Sequence, residues 1–206
     1  MPRALRIAYF ACFGLGVFAQ QNTGPTLDAR RSDVYAIYSQ MLAPKHTSHG
    51  ADDNEIYLIA GITVPGDPAE PCVEIPSDHA ERFAEVLADY HARKDIFASV
   101  EPAFKIAKPY RVLRTANIEE FEDQRLRLTE KVTDFIRLTD VYFDQGRTLA
   151  LTAFSTWCGG LCGHNQWRVF EKDASGRWQE RQWVNCVTMA NADSPRRSKY
   201  LAMARR

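Results

Sequence analysis

Two short turn signals in the last third of the chain narrow its fold more than any other feature. Asp144-Gln145-Gly146-Arg147 and Asp173-Ala174-Ser175-Gly176 each stand between two stretches of strand-like sequence, 135–143 with 148–157 and 167–172 with 177–187. Strands joined by so few residues have no room for a crossover and must pair antiparallel. The spacing therefore predicts a meander of about four strands.

Upstream, the periodicity changes. Val34, Ile37, Tyr38, Met41 and Leu42 recur at helical spacing, which predicts an amphipathic helix over 32–43, stopped by Pro44. Ile56, Leu58, Ala60, Ile62 and Val64 recur at every second position and end at Pro65-Gly66, the pattern of a strand. Tyr57 and Ile59 give that strand a second apolar face, so it is expected to be covered on both sides. Ala80, Phe83, Ala84, Leu87, Ala88 and His91 line one face of a second helix over 77–93, with Ser77 as its N-cap. Asp78 and His79 fall in its first turn, where an acid complements the helix dipole. Residues 95–109 read as irregular, 110–114 as a short strand and 117–130 as a polar helix or loop. Helices first and consecutive strands later predict an α+β domain, with the two N-terminal helices packed on one face of the antiparallel meander. The opposite face needs a cover or stays wet. Trp157, Trp167, Trp178 and Trp183 lie in or beside the meander and are candidates to stand there.

The N-terminus reads as an export signal. Arg3 and Arg6 precede the uncharged run from Ile7 to Ala19, which ends Val17-Phe18-Ala19 before polar Gln20-Gln21-Asn22. That run has 13 residues, short of the roughly 20 that span a bilayer. Residues 1–19 are thus expected to be a cleaved signal peptide, 20–31 a polar leader, 32–190 a single domain and 191–206 a basic tail. The expected location is periplasmic or extracellular. Removing Arg3 and Arg6 leaves 24 basic against 26 acidic residues, a net charge of −2. Such a balance gives no reason to expect nucleic acid or, after cleavage, membrane as a partner. The basic residues Arg196, Arg197, Lys199, Arg205 and Arg206, and the acidic stretch 119–123, read as solvated.

The residues with the most chemistry crowd into Trp157-Cys158-Gly159-Gly160-Leu161-Cys162-Gly163-His164-Asn165. Glycine-rich sequence permits a sharply folded connection there. Signal cleavage removes Cys12 and leaves Cys72, Cys158, Cys162 and Cys186, an even count that allows three disulfide pairings. In an exporting chain structural disulfides are the expected use of these residues. Cys158–Cys162 would close a tight loop, and Cys72–Cys186 would clamp the helical half to the last strand. Three alternatives stay open: a thiol-redox pair, a zinc site from Cys158, Cys162, His164 and Cys186, and a nucleophilic cysteine served by His164. The redox reading is set back by a three-residue spacer in a strand context. His46, His49, Asp52, Asp53 and Glu55 could also hold a metal, although an exposed polar turn explains them equally.

The segments Phe143–Leu151, Cys158–Gly163, Trp167–Lys172 and Gly176-Arg177-Trp178 resemble a group of exported bacterial proteins of unknown function. In that group a strand, a Cys-Gly-x-Leu-Cys-Gly turn and a Glu-Lys…Gly-x-Trp hairpin follow in this order. The resemblance covers about 135–185 and implies export and fold; it brings no activity. His164-Asn165 departs from the glycine usual there.

No acid–base pair, phosphate loop or triad marks a catalytic centre, so the expectation is a non-enzymatic binding domain without a cofactor. Its partner would be a protein or small molecule, met by Trp157, His164, Asn165 and Trp167 on the open face or glycine-rich loop. The competing reading is a metal or thiol-dependent protein centred on Cys158, Cys162 and His164.

Overall fold

The computed structural model describes residues 29–43, 55–65, 71–114, 118–125, 131–159, 162–184 and 188–189. Helix α1 spans Ala29–Leu42, strand β1 Glu55–Ala60, helix α2 Ala80–Arg93, strand β2 Tyr110–Leu113 and helix α3 Ile118–Arg125. Strands β3 Lys131–Leu138, β4 Tyr142–Phe143, β5 Leu149–Gly159, β6 Cys162–Lys172, β7 Trp178–Arg181 and β8 Thr188–Met189 follow. The segment 1–19 expected to be a signal peptide, the 45–54 loop, the tail and Cys186 lie outside the described residues.

The meander forms as the turns dictate: β3, β5, β6 and β7 pair antiparallel in sequence order. It is the core of a larger sheet, ordered β2-β1-β3-β5-β6-β7, with β4 on β5 and β8 on β6. Strand β1 pairs parallel with both β2 and β3, which makes the sheet mixed. Parallel neighbours need a crossover, and the long connections through α2 supply it.

One expectation is overturned. The two helices do not share a face. Tyr35, Ile37, Tyr38, Met41 and Leu42 of α1 pack on Ile136, Leu138, Phe143, Ala150, Phe170 and Trp178. Phe83, Val86 and Tyr90 of α2 pack on Tyr142, Leu149, Leu151, Trp167 and Val169. Successive strand residues point to opposite faces. Leu149 and Leu151 thus call for a cover on one side, and Ala150 and Phe170 for a cover on the other. A third cluster puts Phe121 of α3 against Phe135, stacked at 4.6 Å, with Ile56 and Leu58 beneath. Helices α2 and α3 therefore share the face opposite α1.

The single strand expected over 135–143 is broken by a bulge at Thr139-Asp140. Leu138 faces Phe154, but Tyr142 faces Leu151, a register shift of one residue. The shift puts Val141 and Phe143 on the α1 side and Tyr142 on the α2 side. Thr139 holds the bulge, its hydroxyl accepting Ala153 N–H at 2.8 Å. Asp140, 7% exposed, accepts Val141 N–H at 2.8 Å and Arg93 Nε–H at 3.1 Å. Arg30 of α1 donates to Val141 O at 2.9 Å and lies 3.4 Å from Asp89 of α2. One ionic network so ties both helices to the bulge.

Turn chemistry is unequal in the two hairpins. Gly176 takes φ 78°, as a tight turn requires, and Asp173 accepts the N–H groups of Ser175 and Arg177. In the first hairpin the left-handed position falls to Arg147, at φ 51°, not to Gly146. Asp144, 3% exposed, compensates by accepting Thr148 N–H at 2.6 Å and Leu149 N–H at 2.9 Å. Gly61 is needed for close approach: a Cβ there would lie 2.0 Å from Leu113 O. The second helix is preceded by a 3₁₀ turn, Ser77–His79, and no side-chain cap forms, so Ser77 is not the N-cap the sequence suggests. Among the described residues, no helix is long and apolar enough to cross a membrane.

Candidate functional site

The four residues expected to bind divide between the two faces. His164 pairs with Thr156 on the α1 side, its Nδ1 2.9 Å from Thr156 Oγ1. Phe154, Thr156, His164, Gln166 and Arg168 form a half-buried ledge on this face, where Phe154 packs against the α1 cluster. Asp134 shares this ledge, and burial raises its carboxyl pKa against the pull of Lys108 and His164. Arg168 meets Glu180 and Gln166 and lies 5.6 Å from the Phe154 ring. The Arg168 charge is thus answered by Glu180.

Trp157, Asn165 and Trp167 stand on the opposite face, with α2 and α3. Trp167 is 5% exposed and packs edge-on to Tyr90 at 5.6 Å, which leaves it almost no surface for a ligand. Trp157 is half-buried and meets Phe121 edge-on at 5.2 Å. Along β5 the residues facing this side run Leu149, Leu151, Ala153, Ser155 and Trp157. The first three belong to the α2 cluster and the last packs with α3. Ser155 falls between the clusters.

A polar row crosses the sheet at that point. Arg137 of β3 is opposite Ser155 of β5, which is opposite Asn165 of β6. Facing side chains in such pairs start about 5 Å apart, so the three groups can meet one small molecule. Arg137 donates from Nε to Ser155 Oγ at 3.1 Å. Among the described residues it forms no other side-chain hydrogen bond and no ion pair. Its pKa is lowered, and burial is the cause. Its two Nη groups keep contact with open space, since among described residues the one fully buried side-chain nitrogen or oxygen without a partner is Arg168 Nε. Ser155 is 5% exposed and uses an oxygen lone pair for Arg137, leaving its hydroxyl proton free to donate. Asn165 is half-buried, and among the described residues its amide has no hydrogen-bond partner.

That arrangement differs from every other charged cluster described. Glu171, 13% exposed, accepts from Arg82 at 2.7 Å, Arg181 at 2.9 Å and His79 at 3.0 Å. Burial would raise its pKa, yet those three donors hold it below the ordinary value. His79 also meets Asp78 at 2.8 Å and Trp183 at 4.8 Å, so its role is to anchor the start of α2 on the sheet. The groove between the start of α1, α2 and the first hairpin carries Arg30, Glu85, Asp89, Asp144 and Arg147, each already bonded to the protein.

Cys158 is the last residue but one of β5 and Cys162 begins β6, where Gly159 pairs with Cys162 across a register shift. The connection expected to hold both cysteines is thus shorter than the sequence suggests, because the strands run into it. Cys72 packs against the α2 cluster, and the neighbouring bridge pairs Val73 antiparallel with Val184. Glu55, the described member of the 45–55 group, pairs with Lys108 and Lys131, whose hydrogen bonds lower its pKa. Among the described residues no cluster of histidine, cysteine and acid is placed to hold a metal.

Sequence reading missed Arg137 and Ser155. The available signal was an arginine set between the apolar residues Phe135, Ile136 and Leu138 of one strand. No family model, curated protein or solved structure matches this chain.

Proposed function

We propose that this chain is an exported, non-enzymatic domain, held by disulfides, that binds a partner or small molecule on the α2–α3 face at Arg137, Ser155, Asn165 and Trp157. The observation that carries the reading is the Arg137 guanidinium. It is half-buried, its pKa is lowered by burial, and among the described residues it is answered by one neutral hydroxyl. A buried charge without a counter-charge opposes folding, so its presence makes sense where a ligand completes the set. Perturbed charges of this kind cluster at functional sites.

One feature supports disulfides: the Val73–Val184 bridge brings the chain before Cys186 alongside Cys72. Export follows from the charged, apolar and small-residue pattern of 1–19. Intact mass tests both together: a product starting at Gln20 and lighter by four hydrogens supports them, and one starting at Met1 with free thiols refutes them. Amide-shift mapping of the mature protein against a fragment library tests the site. Hits centred on Ser155, Trp157 and Asn165 support it; hits confined to the His164 ledge refute it.

A further inference from the structure

We infer that the ligand at this site presents a carboxylate, joined to an apolar or aromatic body; the inference rests on the binding role proposed above. Among the described residues Arg137 forms no ion pair and no second cation stands in the row with Ser155 and Asn165, so the site offers a single positive charge. One guanidinium balances a monoanion; a phosphate dianion would leave a charge unanswered in a partly dry site.

The geometry agrees. With Nε committed to Ser155, the two Nη groups form the planar fork that meets the two oxygens of a carboxylate. Ser155 has a hydroxyl proton to give, and the Asn165 amide adds two more donors on the next strand. Every described polar side chain in the row can donate, and none is an acid. An uncharged or cationic ligand would leave these donors without a strong acceptor.

The body of the ligand follows from the flanks. Ala153 and Trp167 border the row on the α2 side, with Phe135 and Trp157 on the α3 side. Trp157 retains exposed ring surface two residues from Ser155 on the same strand. An aryl or branched alkyl group extending from the carboxylate would lie against it.

The test is calorimetric titration of the mature, disulfide-intact protein with phenylacetate, phenylacetamide, acetate and inorganic phosphate, on the wild type, Arg137→Met and Arg137→Lys. Phenylacetate should bind most tightly. Arg137→Met should lose about tenfold or more in its affinity, as removal of a charge-assisted pair implies, with Arg137→Lys between. Acetate should bind more weakly for want of contact with Trp157. Phenylacetamide binding as well as phenylacetate would overturn the carboxylate while leaving a binding role at this site intact. Phosphate binding more tightly than phenylacetate would likewise replace the ligand class alone. No binding of any probe, or binding undiminished in Arg137→Met, would overturn the inference; in the second case amide shifts away from Ser155 and Asn165 would remove the site as well.

Discussion

Replacing Arg137 with methionine should leave the fold as stable as the wild type, whereas the same change at Arg93 should weaken it badly. Methionine keeps most of the stem's volume and removes the charge. At Arg137 the loss is one hydrogen bond to Ser155, and a hydrogen bond to a charged group contributes about 1.5–3 kcal/mol. The gain is relief from keeping an unpaired guanidinium partly out of water, a penalty of several kcal/mol for a dry ion and less where the Nη groups still reach solvent. The two effects nearly cancel, giving a net change within about 1 kcal/mol. Adding Ser155→Ala removes the orphaned hydroxyl, and the double variant should exceed wild-type stability by about 1 kcal/mol. Arg93 is different, because its loss takes from Asp140, which is 7% exposed, its closest counter-charge and leaves it Val141 N–H and Arg30 at 3.7 Å. Losing a hydrogen-bonded charge partner of this kind costs about 1.5–3 kcal/mol. Urea unfolding followed by circular dichroism separates the cases. A loss at Arg137→Met as large as that at Arg93→Met would show that the guanidinium serves the fold, and would refute the reasoning that reserves it for a ligand.

Other outcomes follow from the same contacts. Asp144→Ala should cost about 2–4 kcal/mol, since it leaves Leu149 N–H buried without a partner, while Asp144→Asn keeps an acceptor and should cost under about 1 kcal/mol; chemical denaturation compares them. Arg147→Gly should stabilise by up to about 1 kcal/mol by relieving the positive φ of 51°, read as a higher Tm. Phe135→Ala should cost about 3–5 kcal/mol, because the ring is fully buried and stacked on Phe121. Burial raises the Asp134 pKa in the folded protein, so its ionisation opposes folding: stability is lost as pH rises through that folded pKa. Asp134→Asn should therefore raise Tm at pH 7 and leave it unchanged in acid where both carboxyls are neutral. For Glu171 the sign reverses, since its folded pKa is lowered: the contribution is present above the unfolded value and lost as pH falls through the folded one. Glu171→Gln should show less of that acid loss.

The hairpins and the second helix were legible because local rules decide them. Asp144 and Asp173 start turns by satisfying backbone N–H groups within a few residues, an interaction that sequence carries in full. Pairing of β1 with β2 and β3 was not legible, since parallel register depends on contacts some 50 to 80 residues apart. The separation of α1 and α2 onto opposite faces was half visible. Leu149, Ala150 and Leu151 are apolar in succession, the mark of a strand buried on both sides, but the turn signals drew attention to the alternation instead. The bulge at Thr139-Asp140 hid the faces further, because it reverses the parity of every residue after it. At the site, Trp157 and Asn165 stood out as residue types, whereas Arg137 was passed over. Its meaning lies in what fails to surround it, and only the packed sheet supplies that.

The central claim is that Arg137 awaits a carboxylate. The most direct measurement is the ¹⁵N spectrum of the arginine side chains in the mature protein as phenylacetate is added. The account predicts that Arg137 Nε–H shifts and saturates together with the Ser155 and Asn165 amides, while Arg82, Arg93 and Arg168, already bonded to acids, stay in place. A spectrum in which Arg137 is unmoved at saturation, or in which Arg168 responds in its stead, would contradict it.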